Sequence, residues 1–327
     1  MSQPLLQVDD LKVWFTLPGD GWFRPEPQVL KAVDGVSFEL ARGETLGIVG
    51  ESGCGKSTLA RGILGLVPVT GGDIRLQQKQ LSGLSRKAMR QIRQQMQIVF
   101  QDPLASLDPR MTVREIIAEP LQVFRPGLSK KETGMQVQQI MEKVGLLPNQ
   151  INRYPHEFSG GQCQRIGIAR ALIVAPKVLI CDEPVSALDV SIQAQIINLL
   201  MDLQQEMGLS MMFIAHDLSV VKQISHRIMV MYLGKIVEIT DRDSLYRQPR
   251  HPYTRALINA IPIPDPEIER TKKRDHLKGD LPSPLNPPSG CTFRTRCPKA
   301  SPLCAEQIPL AKEKAPGHWV ACHFPSD

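Results

Sequence analysis

Residues 50–58 read GESGCGKST and match G-x-x-x-x-G-K-[ST] at every fixed position: Gly50, Gly55, Lys56 and Ser57. Thr45, Leu46, Gly47, Ile48 and Val49 before the match read as a short buried strand, and Leu59 to Leu66 after it read as a helix start. A strand, a glycine-rich turn and a helix N-terminus in that order make an anion site. Backbone N–H groups turn inward and the helix dipole adds partial positive charge. The loop Gly50, Glu51, Ser52, Gly53, Cys54, Gly55, Lys56, Ser57 and Thr58 is therefore expected to bind a nucleotide. Lys56 would reach the β- and γ-phosphates and the Ser57 hydroxyl would ligate Mg²⁺.

With 327 residues the chain exceeds what one hydrophobic core usually holds, so two or three domains are expected. Its 42% hydrophobic and 22% charged content is that of a folded globular chain. No apolar run reaches the roughly eighteen residues needed to span a membrane, so the chain is not expected to cross one alone. The formal charge of +6 is mild for this length and requires no nucleic-acid partner. The start, Met1-Ser2-Gln3-Pro4, lacks the pattern of a signal peptide, and the seven cysteines then suggest a reducing compartment.

Alternating Leu6, Val8, Leu11 and Val13 predict antiparallel strands before the phosphate loop, with a long hairpin loop at residues 19–27 carrying Trp22 and Phe23. That loop reads as a flexible tip, with contact between its aromatics and a partner as the alternative. Residues 102–170 look helical and suggest an inserted subdomain. Ser129 and Glu132 form an S-x-x-E capping box for a helix through Val137, Ile140, Met141 and Val144, stopped at Gly145. Val178 to Cys181 and Leu209 to Ala215 read as buried strands, with Ile192, Ile196, Leu199, Leu200, Leu203 and Met207 between them as one helix face. Strands alternating with helices imply a parallel sheet. Fourteen of the 27 prolines fall from Pro249 onward, which marks a small, loop-rich C-terminal module over residues 249–327 after a main domain of residues 1–248.

Four further segments narrow the class: Phe158-Ser159-Gly160-Gly161-Gln162, the apolar run ending in Asp182-Glu183, Ser186-Ala187-Leu188-Asp189, and Ile214-Ala215-His216-Asp217. With these, residues 5–250 resemble the ATPase subunit of an ABC transporter. The resemblance implies an α/β P-loop fold with an antiparallel β subdomain, a parallel-sheet core and a helical subdomain. Asp182 is then expected at Mg²⁺, with Ser57 and Gln101, and Glu183 as the general base that polarises water. Gln101 resembles the glutamine that senses Mg²⁺ and water, and His216 the histidine that contacts the γ-phosphate. Ser159, Gly160, Gly161 and Gln162 resemble the signature that covers the nucleotide of a second subunit, and Asp189 the residue that couples the two sites. Phe15 occupies the place of the ring that stacks on adenine, with a plain core aromatic as the alternative; Trp14 faces the opposite way along the strand. No expected catalytic residue departs from the family pattern.

Longer strings carry a closer resemblance. Residues 101–121, 152–172 and 181–200, with HPYTRAL (251–257) and LPSPLNPPSGCTFRTRCP (281–298), resemble the peptide/nickel importer group, nearest its F-type oligopeptide ATPase subunits. A dipeptide, nickel or glutathione importer is the near alternative; a non-transport ABC ATPase or regulatory protein is the distant one. The resemblance implies a D-type sister ATPase in a heterodimer, two polytopic membrane subunits, an extracytoplasmic binding protein, and a peripheral place on the cytoplasmic face of a bacterial inner membrane. Pro103, Leu104, Leu107 and Met111 either receive a membrane subunit's coupling helix or pack the helical subdomain.

Cys54, Cys163 and Cys181 lie within the ATPase motifs and read as core or loop residues, not ligands. Cys291, Cys297, Cys304 and Cys322 recur as C-x5-C-x6-C-x17-C in a segment with little core-forming sequence. Four thiolates suit an iron–sulfur cluster or Zn²⁺. The family resemblance implies [4Fe–4S], with Zn²⁺ or unligated and partly disulfide-bonded cysteines as alternatives. His318 and His323 could substitute as ligands but read as ordinary surface histidines.

Overall fold

The computed structural model describes residues 3–18, 27–262, 265, 270 and 279–326, so the expected loop aromatics Trp22 and Phe23 lie outside the described residues. The chain forms two compact units. One comprises residues 40–45 and 83–215 with the chain's start up to Leu5; the other comprises residues 6–39, 46–82 and the chain from His216 onward.

In the first unit, Met96–Val99, Val178–Asp182 and Ser210–Ile214 pair side by side in parallel, in that order with Val178–Asp182 central. Every residue of the latter two strands is buried, which explains why their sequence is a continuous apolar run with no alternation. Each large side chain fully buried there contributes roughly 1.5–3 kcal/mol. The inserted helices Val113–Phe124, Lys130–Lys143 and Gly160–Leu172 pack against one another. The capping box forms as expected: the Glu132 N–H donates to Ser129 Oγ at 3.2 Å, and the Ser129 N–H donates to the Glu132 carboxylate at 2.8 Å. Helix Val190–Met207 ends at Gly208, which turns left-handed at φ 61°, where a side chain would be strained.

In the second unit an antiparallel sheet runs in the order Gln28–Leu40, Leu6–Leu17, Gly71–Leu76, Lys79–Gln80. The predicted strand holds, and it explains a change of parity in its own pattern. Leu6 and Val8 are buried at even positions and Leu11 and Val13 at odd ones. One residue per face allows this only if an extra residue intervenes, and the register slips between Asp9 and Lys12, with Asp10 at φ 47°. The phosphate-loop strand Thr45–Val49 pairs in parallel with Arg227–Tyr232, which pairs antiparallel with Lys235–Asp241.

The C-terminal residues extend that sheet. His318–Val320 pairs antiparallel with Lys235–Asp241, and Lys312–Ala315 pairs with His318–Val320. Glu238, wholly buried, anchors the arrangement by accepting from the N–H groups of Arg250 and His251 at 2.8 and 2.9 Å and meeting His318 Nε2 at 2.7 Å. A buried carboxylate is tolerable only with such a set of partners. His318 is therefore buried at 3% exposure, which corrects its reading as a surface histidine. The reason is register: Val320 pairs with Glu238, and His318, two residues earlier on the same face, reaches that carboxylate diagonally. His323 is half-buried, with Nε2 3.0 Å from the Gln307 carbonyl. Burial holds His251 neutral, its pKa pushed down to about 4, and Nδ1 accepts from the Tyr253 N–H at 3.1 Å to cap helix Pro252–Asn259.

Candidate active site

The phosphate loop leaves the buried strand at Gly50 and enters helix Lys56–Ile63 through Gly55. Gly50 sits at φ 154°, and a Cβ there would lie 2.3 Å from the Met231 carbonyl oxygen. Gly55 sits at φ 103°, with a Cβ position 2.1 Å from the Ala32 carbonyl oxygen. The backbone is thus wedged between two strands, and only glycine fits either position. No side chain caps the helix. Lys56 is 4% exposed, and its Nζ donates to the carbonyls of Gly50 and Glu51 at 2.8 and 3.1 Å. That rigid cradle of glycines around a helix N-terminus with a buried lysine fits a chain of phosphates.

Two residues to which the sequence analysis assigns no role also hold this loop. Tyr253 accepts from the Glu51 N–H at 2.9 Å through its hydroxyl. Arg296 forks the Glu51 carboxylate, Nη1 at 2.6 Å and Nη2 at 3.0 Å. Nothing local marks them, since Glu51 and Arg296 are 245 residues apart. Cys54 is buried, and burial pushes its thiol up while the Lys56 charge pulls it down. Trp14 donates from Nε1 to Asp34 at 3.2 Å, with Lys31 Nζ 4.6 Å from its ring centroid; Phe15 is half-buried on the other side of the strand. His216 is exposed just before Asp217, which caps helix Leu218–Ile224.

In the first unit, Asp182 ends its strand at 1% exposure. Glu183 follows with φ 49°, a left-handed conformation that costs a non-glycine residue about 1–2 kcal/mol. Its N–H donates to the Ile214 carbonyl at 3.0 Å, and its own carbonyl accepts from Ser186 Oγ at 3.0 Å. The turn aims the half-buried carboxylate so that Gln101 Nε2 donates to Glu183 Oε2 at 3.0 Å. The structure thus brings together two residues 82 apart that the sequence placed in one reaction.

The signature segment is a helix N-terminus. Ser159 caps helix Gly160–Leu172 reciprocally with Gln162, the Gln162 N–H donating to Ser159 Oγ and the Ser159 N–H to Gln162 Oε1. Ser159 and Gly160 are exposed, while Gly161 is buried with a Cβ position 2.5 Å from Ile192 Cγ2. Gly161 therefore serves close packing as well as backbone access. Asp189 caps helix Val190–Met207, and the Ser191 hydroxyl and Ile192 N–H hold its carboxyl below the usual range. Of the four apolar residues after Gln101, Pro103 and Leu107 are buried, Met111 is half-buried and Leu104 is 56% exposed.

Cys54, Cys163 and Cys181 are buried free thiols, which agrees with the core reading of Cys181. Cys291, Cys297, Cys304 and Cys322 are also free. Burial, and to a lesser extent the other three thiols, push Cys322 up to about 11. Among the described residues no group of three or more His, Cys, Asp or Glu side chains is set to hold a metal ion. The expectation of an iron–sulfur or zinc ligand set therefore finds no assembled ligand group among the described residues.

Residues 33–186 match the ABC transporter family, and residues 237–304 match the oligopeptide/dipeptide transporter C-terminal region. The chain is 61% identical over 319 residues to the oligopeptide transport ATP-binding protein OppF of Salmonella typhimurium, covering 97% of this chain and 95% of that protein. It is equally similar to OppF of Escherichia coli, and 54% identical over 321 residues to the putative oligopeptide transport ATP-binding protein YkfD of Bacillus subtilis, covering 98% and 95%. Among solved structures it resembles the ATP-binding cassette MJ0796 in a dimeric post-hydrolysis state bound to ADP and Pi, with TM-score 0.65 and 27% identity over 72% of this chain and 98% of that one. It also resembles cbiO1 of Clostridium perfringens, part of the cbiONQ transporter complex, with TM-score 0.64 and 27% identity over 75% and 92%. With the phosphate cradle, the oriented glutamate and the tail strands in place, the chain belongs to the ABC transporter ATP-binding family, in the branch of the oligopeptide transport ATP-binding proteins.

Proposed function

We propose that this chain is the ATP-hydrolysing subunit of a bacterial oligopeptide importer, driving uptake through separate membrane subunits. The observation that carries its chemistry is Glu183, held in a left-handed turn with its carboxylate bonded to Gln101. Such strain persists where the surroundings over-determine a reactive group. Glu183 accepts a proton from water as the water oxygen bonds to the γ-phosphorus and the bond to the ADP oxygen breaks. Lys56 and the loop N–H groups hold the phosphates, and His216 supports the γ-phosphate. Ser57, Gln101 and Asp182 offer the hard oxygens that suit magnesium, which when bound neutralises phosphate charge. Phe15 stacks on the adenine.

By analogy with the dimeric cassette it resembles, the exposed Ser159 and Gly160, with Gly161 and Gln162, cover the nucleotide of a D-type sister ATPase, and Asp189 couples the two sites. Leu104 is the residue left exposed to receive a membrane subunit. No helix among the described residues is long and apolar enough to cross a membrane. The peripheral position of this subunit on the cytoplasmic face rests on the importer resemblance. The test is reconstitution with the sister ATPase, both membrane subunits and the binding protein in vesicles. ATP-dependent accumulation of a labelled tetrapeptide is expected. Uptake of only dipeptides, nickel or glutathione would reassign the cargo, and recovery with ribosomes or DNA in place of membrane subunits would sink the transport reading.

A separate proposal rests only on the number and proximity of the four tail thiols: they hold an iron–sulfur cluster, or Zn²⁺, once loaded. Anaerobic purification with iron and sulfide assay tests it. About four irons per chain supports the cluster, whereas colourless, metal-free protein removes both readings.

A further inference from the structure

Glu51 places a carboxylate inside the loop that takes the phosphates, where its charge opposes theirs. Arg296 removes that opposition. Its side chain is 6% exposed against 28% for Glu51, and both terminal nitrogens engage the two carboxylate oxygens. A bidentate fork of this kind fixes orientation as well as charge. The backbone under the guanidinium is itself fixed. The main-chain N–H of Arg296 donates to the Phe293 carbonyl at 3.0 Å, and the Phe293 ring packs on Tyr232 and Tyr253 with centroids 5.2 and 5.4 Å away. Tyr253 closes the circuit by accepting from the Glu51 N–H. Main chain and side chain of Glu51 are thus both held by residues that follow position 250, and Arg296 stands between Cys291 and Cys297.

We propose that Arg296 is a positioning residue for ATP, which neutralises Glu51 and fixes the entry of the phosphate loop so that the cysteine-bearing tail sets nucleotide affinity. The inference rests on the ATPase reading above and adds to it a control point outside the ATPase motifs. Two charges at this separation, only partly exposed, interact strongly enough for the loss of one to be felt by a polyanion bound alongside.

The test uses the full chain, with a fluorescent ATP analogue for affinity and the assembled transporter for turnover. Arg296→Gln is expected to weaken nucleotide binding and raise KM by about tenfold, with kcat falling far less. The defect should shrink as salt rises, because screening weakens repulsion from the unpaired carboxylate. Arg296→Lys keeps the charge without the fork and should fall between. The double variant Glu51→Gln/Arg296→Gln should recover most of the affinity, because the repelling charge is gone. Thermal melting checks folding, and if Arg296→Gln alone fails to fold, the lysine and double variants decide. Wild-type affinity in Arg296→Gln, or no recovery in the double variant, overturns the proposal. Failure of the unaltered chain to bind ATP overturns the ATPase reading instead.

Discussion

Glu183→Gln is expected to lower ATP turnover by about 10²–10⁴-fold, the range that a positioned general base contributes, while leaving ATP binding intact. The substitution keeps shape and keeps an oxygen that can accept from Gln101 at the same place, 3.0 Å away. It removes only the capacity to take a proton from water. The measurement is steady-state ATPase rate in the assembled complex beside nucleotide affinity; turnover near wild type would show that another group accepts the proton. Backbone strain offers a second handle. At φ 49° glycine is comfortable and glutamate is not, so Glu183→Gly should lose the same turnover while melting no lower than wild type. That outcome would mark Glu183 as a residue kept for chemistry against the preference of its own backbone.

Much of the site was legible because its signals are local. The phosphate loop announces itself by glycines within nine residues of one another, and Ser129 with Glu132 announces a helix start three residues apart. The buried strand before Asp182 is visible as an apolar run for the same reason: both its faces are covered. The same kind of signal lies at Thr112 with Glu115 and at Ser159 with Gln162, both of which form reciprocal caps. Ser159 and its glycines carry a phosphate signal that masks their second role, because the helix they begin also makes Gly161 a packing position against Ile192.

What was not legible depends on distance along the chain. Arg296 and Tyr253 both stand in strings that marked the peptide-importer branch, residues 281–298 and 251–257, yet no spacing rule connects either to Glu51. Glu238 and His318 are a similar case, 80 residues apart and joined only when the last strands extend the sheet. A composition rich in proline and poor in long apolar runs reads as a small, loop-rich module. Its strands extend a sheet built earlier in the chain, which is how a segment with little apolar content of its own buries Phe293 and Val320.

Gly55→Ala should abolish measurable ATP binding and lower stability by about 3 kcal/mol or more, because two penalties add. The first is conformational. At φ 103° an alanine pays the cost of a left-handed backbone, about 1–2 kcal/mol. The second is steric, since the new Cβ would stand 2.1 Å from the Ala32 carbonyl oxygen. That oxygen belongs to strand Gln28–Leu40 and cannot rotate away as a side chain would. The loop must therefore lift, and Lys56, the next residue, moves with it off the carbonyls of Gly50 and Glu51. Gly53 separates the two penalties. It lies in the same loop at φ 80°, but a Cβ there meets nothing within 4 Å. Gly53→Ala should carry the conformational cost alone, about 1 kcal/mol, and keep most of the affinity for ATP. Melting temperature and nucleotide affinity measured for both variants decide the matter: equal defects would mean that backbone strain, and not contact with the neighbouring strand, governs the shape of the loop.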